Sequence, residues 1–323
     1  MARILRTADL HELFNNPASI DSLIATIEES LRAYNQGTIL NQSALQTPLP
    51  DGKRAIRAVA ATLPGTGSGL RLQSLGGPAK DGHFNVLFSA ETGDFLALVA
   101  GAKLNVWRTG APAGVACRYL ARPQTKTLGL LGSGRQARGQ LLAICRALPS
   151  LERVYVYSPT EEHRTSFARE MSSWLHPDVE PVATARAAIE GADIIDVATS
   201  SRSPVFDADW ISPSALVISI TSGQLPPELV MRSRVFVSSR EELSSFRPPR
   251  EPYTSMTAVG NWSAAKIAGE LGEVILGKVP GRKSANEVVL FELLGMPAWD
   301  VAATAWAYRW AIAHNAGTAF SLV

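Results

Sequence analysis

A short apolar run, Thr127–Leu131, leads straight into Gly132-Ser133-Gly134-Arg135-Gln136-Ala137, and a stretch with helical spacing, Gly134–Leu148, follows. This is a G-x-G-x-x-A turn between a strand and a helix. The first glycine permits the tight turn, and the second lets a pyrophosphate approach the backbone. The small Ala137 lets the helix pack close to the strand, so that the helix N-terminus faces the phosphates. A second strand, Arg153–Tyr157, comes after the helix. That context separates a dinucleotide cradle from an ordinary glycine turn. Gly132, Ser133, Gly134, Arg135, Gln136 and Ala137 are therefore expected to bind a cofactor.

Strand and helix patterns alternate beyond this point. Thr160–Trp174 and Ala183–Glu190 read as helices, and Asp193–Ala198, Ala215–Ile220 and Val235–Ser238 as strands. Such alternation predicts a doubly wound, mostly parallel sheet with helices on both faces. Ser239–Gly260, rich in Pro, Arg and Ser, reads as an irregular crossing loop. Ala264–Leu276 and Pro297–His314 read as helices. Arg122-Pro123 marks the expected hinge. Before it the pattern is mixed: a helix at Ser19–Tyr34, β-like runs at Ala55–Leu63 and Gly69–Leu75, and a hairpin of Asn85–Ser89 with Phe95–Val99 around Glu91-Thr92-Gly93-Asp94. A helix over Asn105–Leu120 follows. Gly65-Thr66-Gly67-Ser68-Gly69 lacks the Lys-Ser/Thr of a phosphate loop and reads as a flexible turn.

Composition excludes several classes. The 323 residues suffice for about two domains, and 46% are hydrophobic, enough for large cores. Lys plus Arg number 31 against 29 Asp plus Glu, so no basic excess is present to bind nucleic acid. Cys117 and Cys145 are too few for a disulfide framework or a zinc site. His11, His83, His163, His176 and His314 never fall at i, i+4 spacing, and no metal is expected. The uncharged runs Ala33–Pro50 and Trp210–Pro227 are broken by Pro, Gly and polar residues, and Met1–Leu10 has no long apolar stretch. The expectation is a cytoplasmic protein with neither membrane span nor signal peptide.

The end of the second strand sets cofactor preference. Tyr157-Ser158-Pro159-Thr160 offers no acid for a ribose 2′-hydroxyl. Ser158, Thr160 and Arg164 suit a 2′-phosphate better, so NADP is favoured over NAD. Thr199 and Ser200, at the carboxyl end of a strand, are further expected cofactor contacts.

Trp107-Arg108-Thr109-Gly110-Ala111, Tyr119-Leu120-Ala121-Arg122-Pro123 and the run GLLGSGRQA together resemble the ornithine cyclodeaminase/mu-crystallin family. Glu91-Thr92-Gly93, Ala198-Thr199-Ser200, Ser203–Phe206, Glu270–Glu273, Gly277–Arg282, Gly295 and Asp300 agree. The likeness covers Gly69 to Val323, and from Asp209 onward the closest-looking subgroup is the diaminopropionate-forming amino-acid dehydrogenases. The resemblance implies a Rossmann-type α/β domain over 122–295 and a mixed α+β substrate and dimerisation domain from 1–121 and 296–323. It also implies a homodimer, with the active site between the domains.

The resemblance implies roles as well. Arg108 would bind a substrate carboxylate, for which an arginine fork is well shaped. Thr109 would hold a cofactor phosphate. Arg71 stands where the family has a lysine; it can bind a carboxylate but cannot exchange a proton near neutrality. Gln224 stands nearest the position of a family aspartate and cannot act as a base. Lys103, a charge in the run Leu96–Val106, is a candidate to replace the missing lysine from a neighbouring strand, although such a lysine more often snorkels to solvent. Asp300 matches a family aspartate and reads as a cap of the last helix. The expected activity is that of an NAD(P)-dependent oxidoreductase on a small amino or imino acid. The alternatives are a cyclodeaminase-type lyase with bound NAD and a non-catalytic NADP-binding dimer.

Overall fold

The computed structural model describes residues 2–76, 82–245 and 249–321. It resolves into two compact units, Met1–Arg108 with Met296–Val323, and Thr109–Gly295. The boundary falls inside one helix.

The first unit contains β1 (Ala2–Leu5), α1 (His11–Asn15), α2 (Ser19–Asn35), β2 (Leu40–Pro48), β3 (Ala55–Leu63), β4 (Gly67–Leu75), β5 (His83–Phe88) and β6 (Phe95–Ala100). The helix α3 (Gly101–Leu120) begins in it and ends in the second unit. The second unit continues with β7 (Thr127–Leu131), α4 (Arg135–Ala147), β8 (Arg153–Tyr157), α5 (Glu161–Ser172), β9 (Asp178–Pro181), α6 (Ala185–Ile189) and β10 (Ile194–Val197). It closes with β11 (Leu216–Ser219), α7 (Pro227–Arg232), β12 (Arg234–Val237), α8 (Arg240–Ser245), α9 (Tyr253–Ala258), β13 (Ile267–Glu270), α10 (Leu271–Ile275) and β14 (Val289–Glu292). The chain returns to the first unit as α11 (Pro297–Ala313) and β15 (Thr318–Phe320).

In the first unit a seven-stranded sheet runs β15-β1-β6-β5-β4-β3-β2. Only the β1–β6 pair is parallel. Its core forms because α2 carries Ile20, Leu23, Ile24, Ile27 and Leu31 at helical spacing, and all five are fully buried. The helix α11 packs against α2 and across β3, β4 and β5. Alanine-rich and apolar all round, it is buried along most of its length. Small residues bring sheet and helix together: a Cβ on Gly69 would lie 2.3 Å from the Val86 carbonyl and 3.5 Å from Val301.

The second unit holds an eight-stranded, wholly parallel sheet, β13-β12-β14-β11-β10-β7-β8-β9. The strands β10, β11 and β14 are buried at every position, as expected where helices cover both faces. The order reverses between β7 and β10, so the glycine turn after β7 opens at the switch point where such sheets bind ligands. The expected hinge residue Arg122 pairs with Asp193, which also accepts the amides of Lys126 (2.8 Å) and Thr127 (3.0 Å).

Several expectations are corrected. Ala264–Leu276 is not one helix: a 3-10 turn (Ala264–Lys266) leads into β13, and only Leu271–Ile275 is helical. Pairing with β12 overrides the helical spacing, and a capping box between Glu270 and Glu273 starts the helix late. Ser239–Gly260 is not irregular throughout, since α8 and α9 lie in it; its residues 246–248 fall outside the described residues. The glycine-rich segment turns at Gly65, where φ is +71°, but Gly67 and Gly69 already belong to β4. The strands β1, β2, β9, β14 and β15 carried no clear pattern. No helix among the described residues is long and apolar enough to cross a membrane.

Asp196, in the middle of β10, is fully buried, and neither carboxylate oxygen has a hydrogen-bond partner among the described residues. Burial pushes its pKa up to about 8. The native state then keeps a proton that the unfolded chain releases near pH 4, so stability present at low pH is lost as pH rises towards 8. Replacing Asp196→Asn removes this dependence. Between pH 5 and 8 the variant should gain on the wild type by about 1.4 kcal/mol per pH unit in urea unfolding. Parallel stability curves would contradict the assignment.

Candidate functional site

Two constellations emerge, one in each unit. In the second unit, Gly132 has φ +120°, and a Cβ there would lie 2.4 Å from the Ala198 carbonyl. Only glycine fits, because β10 ends directly against the turn. The Gly132 amide donates to Tyr157 O (2.8 Å), and the Ala198 amide to Leu131 O (2.8 Å), joining the ends of β7, β8 and β10. Gly134 is different: its backbone is extended and nothing lies within 4 Å of where a Cβ would stand. It precedes α4 as the N-cap and, as glycine, brings no capping side chain of its own. The first turn of α4 therefore starts from an open backbone position without a capping side chain from its N-cap residue.

The surrounding residues hold this loop in place. Ala137 is fully buried, Gln136 half-buried and Arg135 exposed. Arg138 donates to Ser133 O (2.9 Å) and Gly134 O (3.2 Å) and pairs with Glu170. Ser133 Oγ donates to Ser158 Oγ (2.9 Å), and Arg164 donates to Ser158 O (3.2 Å). Thr160 precedes α5 as its N-cap without a side-chain capping bond. Thr199, after β10, is clamped by the fully buried Gln224, whose Nε2 donates to Thr199 O (2.6 Å) and Oγ1 (2.7 Å). Ser200 is exposed. Thr109 is buried beside Gly110, where α3 meets α4 so closely that a Cβ would lie 2.1 Å from Gly139 O.

In the first unit, Arg71 from β4 and Arg108 from α3 converge on Asp300 of α11. Arg108 Nε lies 2.8 Å and Arg71 Nη1 3.3 Å from Asp300 Oδ1. Asn105 Oδ1 accepts from Arg108 (2.6 Å) and Arg71 (3.3 Å). The side chains are 8%, 11% and 5% exposed for Arg108, Arg71 and Asp300, so two positive charges face one negative charge largely out of water. Burial, with the charges of Arg71 and Arg57, pushes Arg108 down to about 10 against the pull of Asp300. Asp300 thus does not cap the last helix. Met296 is the N-cap, Pro297 opens the helix, and Asp300 lies in its first turn, aimed at the arginines.

Lys103 is not on a strand. The helix α3 already begins at Gly101, which places Lys103 exposed in its first turn while Leu104 and Trp107 take the buried face. Two residues without an expected role do belong to the charged cluster. His83 feels the charges of Arg71, Arg108 and Asp300, and Asn85 is the cross-strand partner of Arg71. The alternation of β5 was the signal available for them. Among the described residues, no group of three or more His, Cys, Asp and Glu could hold a metal ion.

The family model for the ornithine cyclodeaminase/mu-crystallin family matches residues 8–314. The chain is 32% identical to a Delta(1)-pyrroline-2-carboxylate reductase of Bacillus cereus over 72% of each protein. Its fold is similar to that of Thermococcus litoralis Delta(1)-pyrroline-2-carboxylate reductase solved with NADH and L-proline. That match has a TM-score of 0.88 and 28% identity, over 98% of this chain and 100% of the other. An archaeal alanine dehydrogenase dimer with bound NAD is similar at TM-score 0.87 and 25% identity, covering 100% and 99%.

Removing the shared carboxylate strands two buried guanidiniums. Asp300→Ala should cost about 3–5 kcal/mol in chemical unfolding, as breaking a buried pair from one side does. An unchanged midpoint would contradict the cluster geometry.

Proposed function

The chain belongs to the ornithine cyclodeaminase/mu-crystallin family, and from that premise we propose that it is a nicotinamide-dependent reductase of small imino acids, running in reverse as an amino-acid dehydrogenase. The observation that carries this reading is the buried Arg71–Arg108–Asp300 cluster. One positive charge is left over, and a substrate carboxylate neutralises it. Arg108 is the main carboxylate partner, Arg71 the second, and Asp300 and Asn105 fix the two forks.

The dinucleotide fits the second unit on the evidence of Gly134, whose missing side chain leaves the cradle open above the uncapped end of α4. Gly132 to Ala137 would hold the pyrophosphate, with Thr109, Thr199 and Ser200 as further contacts. When bound, a nicotinamide dinucleotide supplies or takes up the hydride. The Thermococcus and archaeal relatives hold NADH and NAD. At Ser158-Pro159-Thr160 this chain presents hydroxyls and Arg164 instead of an acid, which favours NADP. Gln224, tied to Thr199, supplies no base for the cyclodeaminase alternative.

The same reading includes a homodimer. Leu40, Leu45, Ile56 and Phe84 are 71%, 69%, 42% and 42% exposed. The cross-strand register puts them on one face of the first unit's sheet, the face opposite Val59 and Ala61. A second copy would cover this apolar surface. A cytoplasmic setting agrees with the free, buried Cys117 and Cys145.

Two variants test the reading. Gly134→Val should fold, with only a small drop in melting temperature from the poorer N-cap residue, and lose NADH and NADPH binding in fluorescence titration. Arg108→Ala should lower kcat/KM for cyclic imino acids at least about 30-fold, the effect of losing one member of a desolvated charge pair, typically about 2–5 kcal/mol. Cofactor binding by Gly134→Val, or normal turnover by Arg108→Ala, would overturn the site assignment.

A further inference from the structure

In β5 the sequence His83-Phe84-Asn85 alternates across the sheet. Asn85 is buried and Phe84 is exposed, and His83 shares the face of Asn85. The register pairs His83 with Gln73 and Asn85 with Arg71. His83 and Asn85 thus sit on the side of the sheet where Arg71 meets Asp300. Besides Arg108 Nε, which Asp300 Oδ1 faces at 2.8 Å, two buried polar atoms there have no hydrogen-bond partner among the described residues, His83 Nε2 and Asn85 Oδ1. Buried atoms of this kind are normally satisfied, and a pair of them beside a charged cluster calls for the polar atoms of a ligand. The glycine at the start of α3 makes room for the ring. A Cβ on Gly101 would lie 2.1 Å from His83 Cδ2 and 2.7 Å from Nε2.

We propose that His83 exchanges the proton of the substrate nitrogen while Arg108 and Arg71 hold the substrate carboxylate. This rests on the imino-acid reductase reading above. Within the cluster no other group suits the task. Arginine is a poor proton exchanger near neutrality, Asn85 and Asn105 do not titrate, and Asp300 is held between the two arginines. The charges facing His83 are Arg71 of β4, Arg108 of α3 and Asp300 of α11. Burial, the largest influence, and the two arginines hold the imidazole below its ordinary range, against a hydrogen bond of the ring with the Gly101 backbone and the charge of Asp300. At neutral pH the ring is therefore ready to accept a proton.

In the direction of amino-acid oxidation, the substrate ammonium first gives a proton to Nε2. The α-carbon–hydrogen bond then breaks, and its electron pair leaves with the hydrogen as hydride to an oxidised nicotinamide. The nitrogen lone pair becomes the second carbon–nitrogen bond. The products are an iminium, reduced nicotinamide and an imidazolium, so atoms and charge balance. In reduction the imidazolium returns its proton to the newly formed amine.

The test uses His83→Gln in the full-length protein. Wild-type kcat/KM for L-proline oxidation should rise with pH through a midpoint below the usual histidine value. The variant should lose that limb and fall at least about 100-fold at neutral pH. Its affinity for cyclopentanecarboxylate, which keeps the carboxylate and lacks the nitrogen, should stay within about threefold in the presence of NADH. In the wild type with NADH, which cannot react with L-proline, the His83 imidazole resonances should shift on adding L-proline and not on adding cyclopentanecarboxylate. An equal response to both compounds, or wild-type turnover and pH profile in His83→Gln, would overturn this proposal alone. A wild type that binds neither compound and oxidises no amino acid would overturn the reductase reading with it.

Discussion

Asp300 holds two arginines that would otherwise repel each other in a largely dry site. Its oxygen lies 2.8 Å from one guanidinium and 3.3 Å from the other. That contact draws three separate elements together, since Arg71 comes from β4, Arg108 from α3 and Asp300 from α11. It also leaves one charge unspent. A buried cluster with a surplus positive charge is costly as a purely structural device. As the carboxylate receptor proposed above it would be preorganised, because the forks are already aimed and little ordering would be left for binding.

The second unit solves a different problem with glycine. Gly132 yields to the end of β10, and Gly134 leaves space over a helix end whose amides have no side-chain cap. These two glycines, with one residue between them, differ: the fold demands the first, and no neighbour in the fold demands the second. A side chain at Gly134 would trouble no neighbour, so its absence points to a ligand.

The glycine turn between strand and helix was legible because it is local. Strand, turn and helix follow one another in sequence, and β7 and β8 took the bounds their apolar runs predicted. Arg108 was legible through the family motif around it, and Arg71 through the strand position where the family has a lysine. Asp300 was recognised as a position but not in its role, because its partner Arg71 lies 229 residues away and no local pattern announces that contact. His83 and Asn85 were missed for the same reason: only the register of β4 with β5 sets them beside Arg71. A lone charge in an apolar run left Lys103 open between a site role and a solvent-facing one, and the early start of α3 turns it outward. The strand β13 was hidden by apolar spacing that also fits a helix, and pairing with β12 decided between them.

The central claim is that hydride reaches the α-carbon of an imino acid. It is tested most directly by supplying reduced nicotinamide dinucleotide bearing deuterium at C4, with Delta(1)-pyrroline-2-carboxylate, and locating the label by NMR. The predicted result is one deuterium at the α-carbon of each product molecule, transferred from one face of the cofactor, with one cofactor oxidised per product. An unlabelled product, or ammonia release with the cofactor returned unchanged, would contradict it.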